Sequence, residues 1–164
     1  MHPEAYRFIA ETIGQPGSVL ELGSLDINGS PRLLVPQADY WGIDKQAGRG
    51  VNELADAAEW RSDRRFDLVI CAEVLEHTPL GPEILATAQE HLNPGGRLIV
   101  TCATHGREPH SAVDGGHVRP DEYYENVDPF LFLYELALAG FDPLRFESHH
   151  DRGDLYLLAV STHG

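Results

Sequence analysis

Carboxylates at fixed distances from a glycine, and a set of loop histidines, carry the chemistry this sequence can offer. Glu21 precedes Gly23 by two residues in Val19-Leu20-Glu21-Leu22-Gly23-Ser24-Leu25-Asp26-Ile27-Asn28-Gly29-Ser30. Asp44 follows Glu21 by 23 residues and closes a second apolar run, Tyr40-Trp41-Gly42-Ile43. A glycine where a strand stops permits positive φ and a close ligand approach. A carboxylate about 20 residues further on, at the tip of the next strand, can accept both hydroxyls of a ribose. His105, His110 and His117 fall in one polar stretch. Imidazoles there could take a proton near neutral pH.

The elements that must position these groups alternate between strand and helix patterns. Pro3–Ile13 reads as a helix, with proline at its start and Gly14 beyond its end. Strands are expected at Ser18–Leu22, Tyr40–Asp44, Val51–Leu54, Phe66–Cys71, Leu98–Ala103, Pro143–His149 and Leu155–Ser161. Ser30-Pro31 opens a short helix to about Val35, and Glu83–Leu92 is a helix with Ile84, Leu85, Ala88 and Leu92 on one face. Asn93-Pro94-Gly95-Gly96 is expected as the turn that ends it. Asp128–Ala139 is so apolar (Phe130, Leu131, Phe132, Leu133, Tyr134, Leu136, Leu138) that burial on more than one side is expected. The stretch Thr104–Asn126 carries three glycines and two prolines. A loop of that length is expected to be a functional lid.

These motifs, in this order, resemble class I S-adenosylmethionine (AdoMet) methyltransferases of the small, type 11-like kind. The first strand of that family ends in acidic-x-Gly-x-Gly-x-Gly. Here Glu21-Leu22-Gly23 matches, while Leu25 and Ile27 occupy the second and third glycine positions. Ala72-Glu73-Val74-Leu75-Glu76-His77 matches the family's fourth-strand ending, and Leu92-Asn93-Pro94-Gly95-Gly96 matches the segment before its fifth strand. The resemblance implies an α/β, Rossmann-like three-layer sandwich: a seven-stranded, mostly parallel sheet with an antiparallel last strand, in one domain over residues 1–164. It implies cofactor contacts at Glu21, Gly23, Ser24 and Leu25, at Asp44 and Lys45, at Asp56 and Ala57 beside the adenine, and at Ala72 and Glu73 beside the amino acid end. Asp56 also suits a helix N-cap, and Glu76 and His77 also suit local hydrogen bonds that shape the loop.

The implied activity is methyl transfer from AdoMet, with a hydroxyl of a small molecule, sugar or glycan as the expected acceptor. His117 is the expected base and His105 the second choice. Two other readings stay open. One is an AdoMet-binding scaffold without catalysis, favoured by the irregular glycine loop. The other is a metal-assisted enzyme in which His105, His110, Asp114 and His117 hold a divalent ion, although no regular metal-ligand spacing is present.

Composition narrows the partners. A formal net charge of −14, from 26 acidic and 12 basic residues, repels phosphate backbones, so no nucleic-acid partner is expected. The Asn/Asp-Pro-Pro-aromatic segment of DNA amino-methyltransferases is absent after the fourth strand. No apolar run of 18 residues predicts a membrane span. Cys71 and Cys102 read as core thiols in a reducing compartment, and with no apolar signal region a cytoplasmic location is expected. The apolar surface of Asp128–Ala139 is expected to form a homodimer interface.

Overall fold

The computed structural model describes residues 1–163. Seven strands form one sheet in the order β3-β2-β1-β4-β5-β7-β6. They are β1 (Ser18–Leu22), β2 (Asp39–Asp44), β3 (Glu53–Leu54), β4 (Phe66–Ala72), β5 (Leu92–Ala103), β6 (Phe141–His149) and β7 (Asp154–Ser161). The first five are parallel, and β7 inserts antiparallel between β5 and β6. The order reverses between β1 and β4. A crevice at their carboxyl ends is where an open α/β sheet holds its ligand.

Period-two alternation distributes the core over both faces. Val19, Leu68, Ile70 and Ile99 pack with Phe8 and Ile9 of α1 (Pro3–Thr12). Leu20, Leu22, Val69, Leu98 and Val100 face Ile84, Leu85 and Ala88 of α2 (Gly81–Glu90) and Phe132 and Leu136 of α3 (Pro129–Leu138). Each fully buried aliphatic side chain contributes roughly 1.5–3 kcal/mol.

Three local expectations are corrected. The helix expected at Glu83–Leu92 begins two residues earlier, with Pro82 in its first turn. The segment Asn93–Gly96 lies inside β5 rather than before it. Leu92 pairs with Phe66 and Arg97 with Leu68, so the four residues between are left out of the ladder as a bulge, in which Gly95 holds φ of +71° as the expected turn geometry requires. Asn93 Nδ2 donates to Asp67 Oδ1 at 2.8 Å, and the pairing shifts register between Phe66 and Leu68. The segment after Ser30 is a 3-10 helix, Pro31–Leu34, capped by Ser30 Oγ, which accepts from the Arg32 N–H.

α3 departs from expectation in its environment. Asp128 caps it, with Oδ1 accepting from the N–H groups of Phe130 and Leu131. Only one side is buried, through Phe132 and Leu136, while Phe130 is 84% and Leu138 70% exposed. Leu131 and Tyr134 are exposed too, so the sheet covers a single stripe of this helix. No helix among the described residues is long and apolar enough to cross a membrane. Cys71 and Cys102 are buried free thiols.

Candidate active site

β1 ends in the residues that need a strand edge. Glu21 is 4% exposed, and Tyr40 O–H donates to its Oε2 at 2.9 Å. Burial pushes the Glu21 carboxyl up to about 8, against the opposing pull of the Tyr40 hydrogen bond. Gly23 follows with φ of +79°, and the N–H groups of Gly23 and Ser24 both donate to the Ile43 carbonyl at 3.0 Å. A Cβ on Gly23 would stand 2.3 Å from Val74 Cγ2. The glycine is therefore required both by conformation and by the segment after β4.

The loop tolerates Leu25 in place of a glycine because glycines stand opposite it. A Cβ on Gly48 would lie 2.3 Å from Leu25 Cδ1, and one on Gly50 would lie 2.4 Å from the Ser24 carbonyl oxygen. Gly42 likewise makes room for Ser24 Oγ, 2.5 Å from where its Cβ would be. Close approach has moved from the β1 loop to the chain that packs on it. These glycines were not singled out by the sequence, since nothing in their spacing shows which loop they would meet.

Asp44 closes β2. Its Oδ2 accepts from the Leu25 N–H at 3.0 Å and its Oδ1 from the Gln46 N–H at 2.9 Å. A carboxylate has about four lone-pair sites, so both oxygens can accept again from a ligand. Lys45 Nζ lies 2.8 Å from Asp56 Oδ2, and Asp56 Oδ1 accepts from the Ala58 N–H. Burial opposes ionisation of Asp56, but the Lys45 and Ala58 hydrogen bonds outweigh it and hold the carboxyl below its ordinary value. No helix begins at Asp56, so the expected N-cap is instead the cap of a turn, and the same side chain lines the cavity.

Beyond β4, Glu73 has a φ of +57°, the one positive value outside glycine among the described residues. Its N–H donates to the Thr101 carbonyl at 2.7 Å, and its Oε1 accepts from Thr101 Oγ1 at 2.8 Å. Such a conformation costs about 1–3 kcal/mol and persists where the surroundings fix it, commonly at ligand sites.

These groups line one cavity of about 460 Å³, within the usual size for a cofactor site. From β1 and its loop come Glu21, Gly23, Ser24 and Leu25. Asp44 and Lys45 come from β2, Asp56 and Ala57 from the turn after β3, and Ala72 and Glu73 from the end of β4. The structure thus brings all ten residues named as cofactor contacts into one wall. Their donor set fits AdoMet: carboxylates for ribose and adenine at one end and Glu73 at the other. Ser24 Oγ, buried without a partner, is a spare polar group in the wall.

The histidines are sorted differently from expectation. His117 is exposed and lies outside the cavity wall. His105 is exposed too, with Nε2 3.0 Å from Asp128 Oδ2 at the start of α3. Neither reaches the cavity: of the long loop, Arg107 and His110–Gly115 line it, while His105 stays beside α3. The imidazoles in the wall are His2, His77 and His110. His77 was visible in the Val74-Leu75-Glu76-His77 motif, but no sequence signal separates His110 from the other loop histidines. Nor do His105, His110, Asp114 and His117 converge. His110 instead meets Glu76 and His77, one ligand atom of each lying within 4.8 Å of the others.

Burial, then the neighbouring His110, pulls the His77 pKa down to about 4. Glu76 is fully buried, and burial followed by the charge of Glu73 raises its pKa. The long loop is anchored at both ends. Thr104 bridges to Val127, and the Arg107 guanidinium pairs with buried Asp154. The Glu125 N–H donates to the Glu76 carbonyl at 2.8 Å.

The sequence profile of a family described as a methyltransferase domain matches residues 3–135. The ubiquinone biosynthesis O-methyltransferase of Rickettsia felis is 26% identical over 122 residues, covering 63% of this chain and 50% of that protein. The chain thus spans half the length of this curated relative. Among solved structures, the DhpI–SAH complex aligns with a TM-score of 0.73 at 22% identity, covering 98% of this chain and 86% of that one. The Burkholderia thailandensis 1,6-didemethyltoxoflavin-N1-methyltransferase, with bound 1,6-didemethyltoxoflavin and S-adenosylhomocysteine, aligns with a TM-score of 0.69 at 20% identity, over 98% of this chain and 77% of that one. Those two likenesses show the shared fold. With the profile spanning most of its length, the chain belongs to the methyltransferase domain family, a class I Rossmann-like group whose cofactor is S-adenosylmethionine.

Proposed function

We propose that the chain transfers the methyl group of AdoMet to a hydroxyl of a small molecule, sugar or glycan. The observation that carries this reading is the continuity of one cavity. The carboxylates suited to the cofactor and the imidazoles of His77 and His110 line the same space. Bound AdoMet supplies an activated methyl on a sulfonium, so alignment accounts for much of the rate. The protein's own residues then have separable tasks. Asp44 accepts from the ribose hydroxyls, Asp56 and the Ala57 backbone face the adenine, and Glu73 faces the amino acid end. The loop segment His110–Gly115 covers the acceptor end and excludes water. A hydroxyl acceptor must also give up its proton, and the histidine side of the cavity is where it would be held.

The Rickettsia relative is named as an O-methyltransferase and the Burkholderia neighbour as an N-methyltransferase. A chain of net charge −14 disfavours an anionic acceptor. The choice of a hydroxyl rests on the His77 and His110 imidazoles in the cavity wall, which suit holding its proton. The test is transfer of tritiated methyl from AdoMet, using purified protein with matched hydroxyl and amine acceptors and with fractionated extract of the source organism. Label recovered as an ether supports the reading. Label recovered as an alkylamine overturns the choice of oxygen, and AdoMet binding without any transfer would mark the chain as a scaffold.

A further inference from the structure

We propose that Glu76, His77 and His110 form a binding site for a divalent transition-metal cation at the acceptor end of the cavity. Its role in catalysis rests on the methyl-transfer reading, but the site itself stands on its own geometry. One ligand atom from each residue falls within 4.8 Å of the other two. Ligand atoms around a tetrahedral zinc ion, at about 2.0–2.1 Å from it, lie roughly 3.3 Å apart. Side-chain shifts on the order of 1 Å would close the present arrangement onto an ion.

The second observation concerns unmet polar atoms. Glu76 is 0% exposed. Its Oε1 accepts from the Ala103 N–H at 3.0 Å, whereas Oε2 is buried with no partner. His77 Nδ1 is also buried and without a partner. Two such unpaired atoms on neighbouring residues are costly in a folded interior. A cation coordinated by both would satisfy them at once.

The surroundings are those of a held ligand set. His110 Nδ1 lies 3.2 Å from the Glu108 carbonyl oxygen. Donation of an Nδ1 proton to that oxygen leaves Nε2 with its lone pair free, as metal-bound histidines commonly arrange it. The His77 and His110 rings meet edge to face at 5.1 Å, and the Tyr124 ring packs against both, at 5.4 and 4.9 Å. Three protein ligands leave coordination positions open, as in catalytic rather than structural sites. His77 and His110 line the cavity, so those positions face the acceptor. Two imidazoles and one carboxylate suit zinc, iron(II), cobalt(II) or manganese(II) better than calcium or magnesium. An ion there acts as a Lewis acid, making an acceptor hydroxyl more acidic and fixing its direction.

The test uses the full chain, stripped with a chelator and without AdoMet. Cobalt(II) is titrated while its visible d–d absorption is followed, and zinc(II) binding is measured by calorimetry. One equivalent per chain is expected, with His77→Ala and His110→Ala each weakening it tenfold or more. A His105→Ala/His117→Ala double variant should bind as the parent does. His110 lies on the loop, so its variant tests the site even if Glu76→Gln fails to fold. Absence of cobalt absorption overturns the proposal. So does binding that survives His77→Ala/His110→Ala, or that disappears in the His105→Ala/His117→Ala variant. AdoMet affinity is measured separately on the stripped protein. AdoMet binding without cation binding would overturn this proposal alone, and cation binding without AdoMet binding would support the site while removing the methyl-transfer reading.

Discussion

Val74 Cγ2 occupies the space where a side chain on Gly23 would begin, 2.3 Å from the ideal Cβ position. The end of β1 and the segment after β4 are fitted to each other at the crevice where the strand order reverses. Gly23→Ala meets this contact and must also hold φ of +79°, which costs about 1–2 kcal/mol for an L-residue. The expected result is at least a tenfold loss of AdoMet affinity by calorimetry and a lower Tm. Adding Val74→Ala should restore part of the affinity, because it removes the clash but not the backbone strain. Parent-like affinity in Gly23→Ala alone would show that the contact does not shape the site.

Asp44 has two duties, since its oxygens hold the Leu25 and Gln46 N–H groups and also face the cavity. Asp44→Ala is expected to weaken AdoMet binding by about 1.5–3 kcal/mol, the usual worth of hydrogen bonds to a charged group. Asp44→Asn keeps one acceptor oxygen and should fall between the two. Unchanged affinity in both variants would remove Asp44 from the cofactor site.

Glu21 makes stability depend on pH. Its carboxyl titrates near 8 when folded, against an ordinary value of 4.5. Between those values the folded chain holds a proton that the unfolded chain has released, so stability falls as pH rises. Thermal melts from pH 5 to 8.5 should show this decline. Glu21→Gln, neutral at every pH, should flatten the Glu21 part of the slope. An identical slope in the variant would mean that Glu21 ionises normally.

His110 and His117, seven residues apart on one loop, should separate in function. His117→Ala, outside the cavity, is expected to leave turnover within about twofold of the parent. His110→Ala should lower turnover by roughly 10²–10⁴-fold if the imidazole holds the acceptor or its proton. Steady-state assays with a tritiated donor measure both. The reverse pattern would mean that the loop rearranges to bring His117 inward.

Much of the architecture was legible in the sequence because it depends on short-range patterns. Strand β1 lies at Ser18–Leu22 as read, since an apolar run bounded by glycine needs little else to define it. Asp44 at the tip of β2 and Gly23 at the end of β1 followed from fixed distances along the chain. The start of β5 was not legible, because the Leu92–Phe66 pair lies beyond a four-residue bulge, Asn93–Gly96, and only the turn geometry of that bulge shows in Pro94-Gly95-Gly96. α3 was read as buried on more than one side, but composition does not reveal how much neighbouring surface is available to cover it.

The sequence by itself determined which chemical groups exist and which strand end or loop carries each. Only the tertiary structure decided which of them meet. Gly42, Gly48 and Gly50 compensate for Leu25 and Ser24 because parallel pairing of β1 and β2 lays one loop over the other. Glu76, His77 and His110 converge because the long loop, anchored at Thr104 and Val127, folds its middle back over the end of β4. Residues 33 positions apart in sequence leave no periodic trace of such contact. It arises from loop closure and packing, which one-dimensional spacing does not encode.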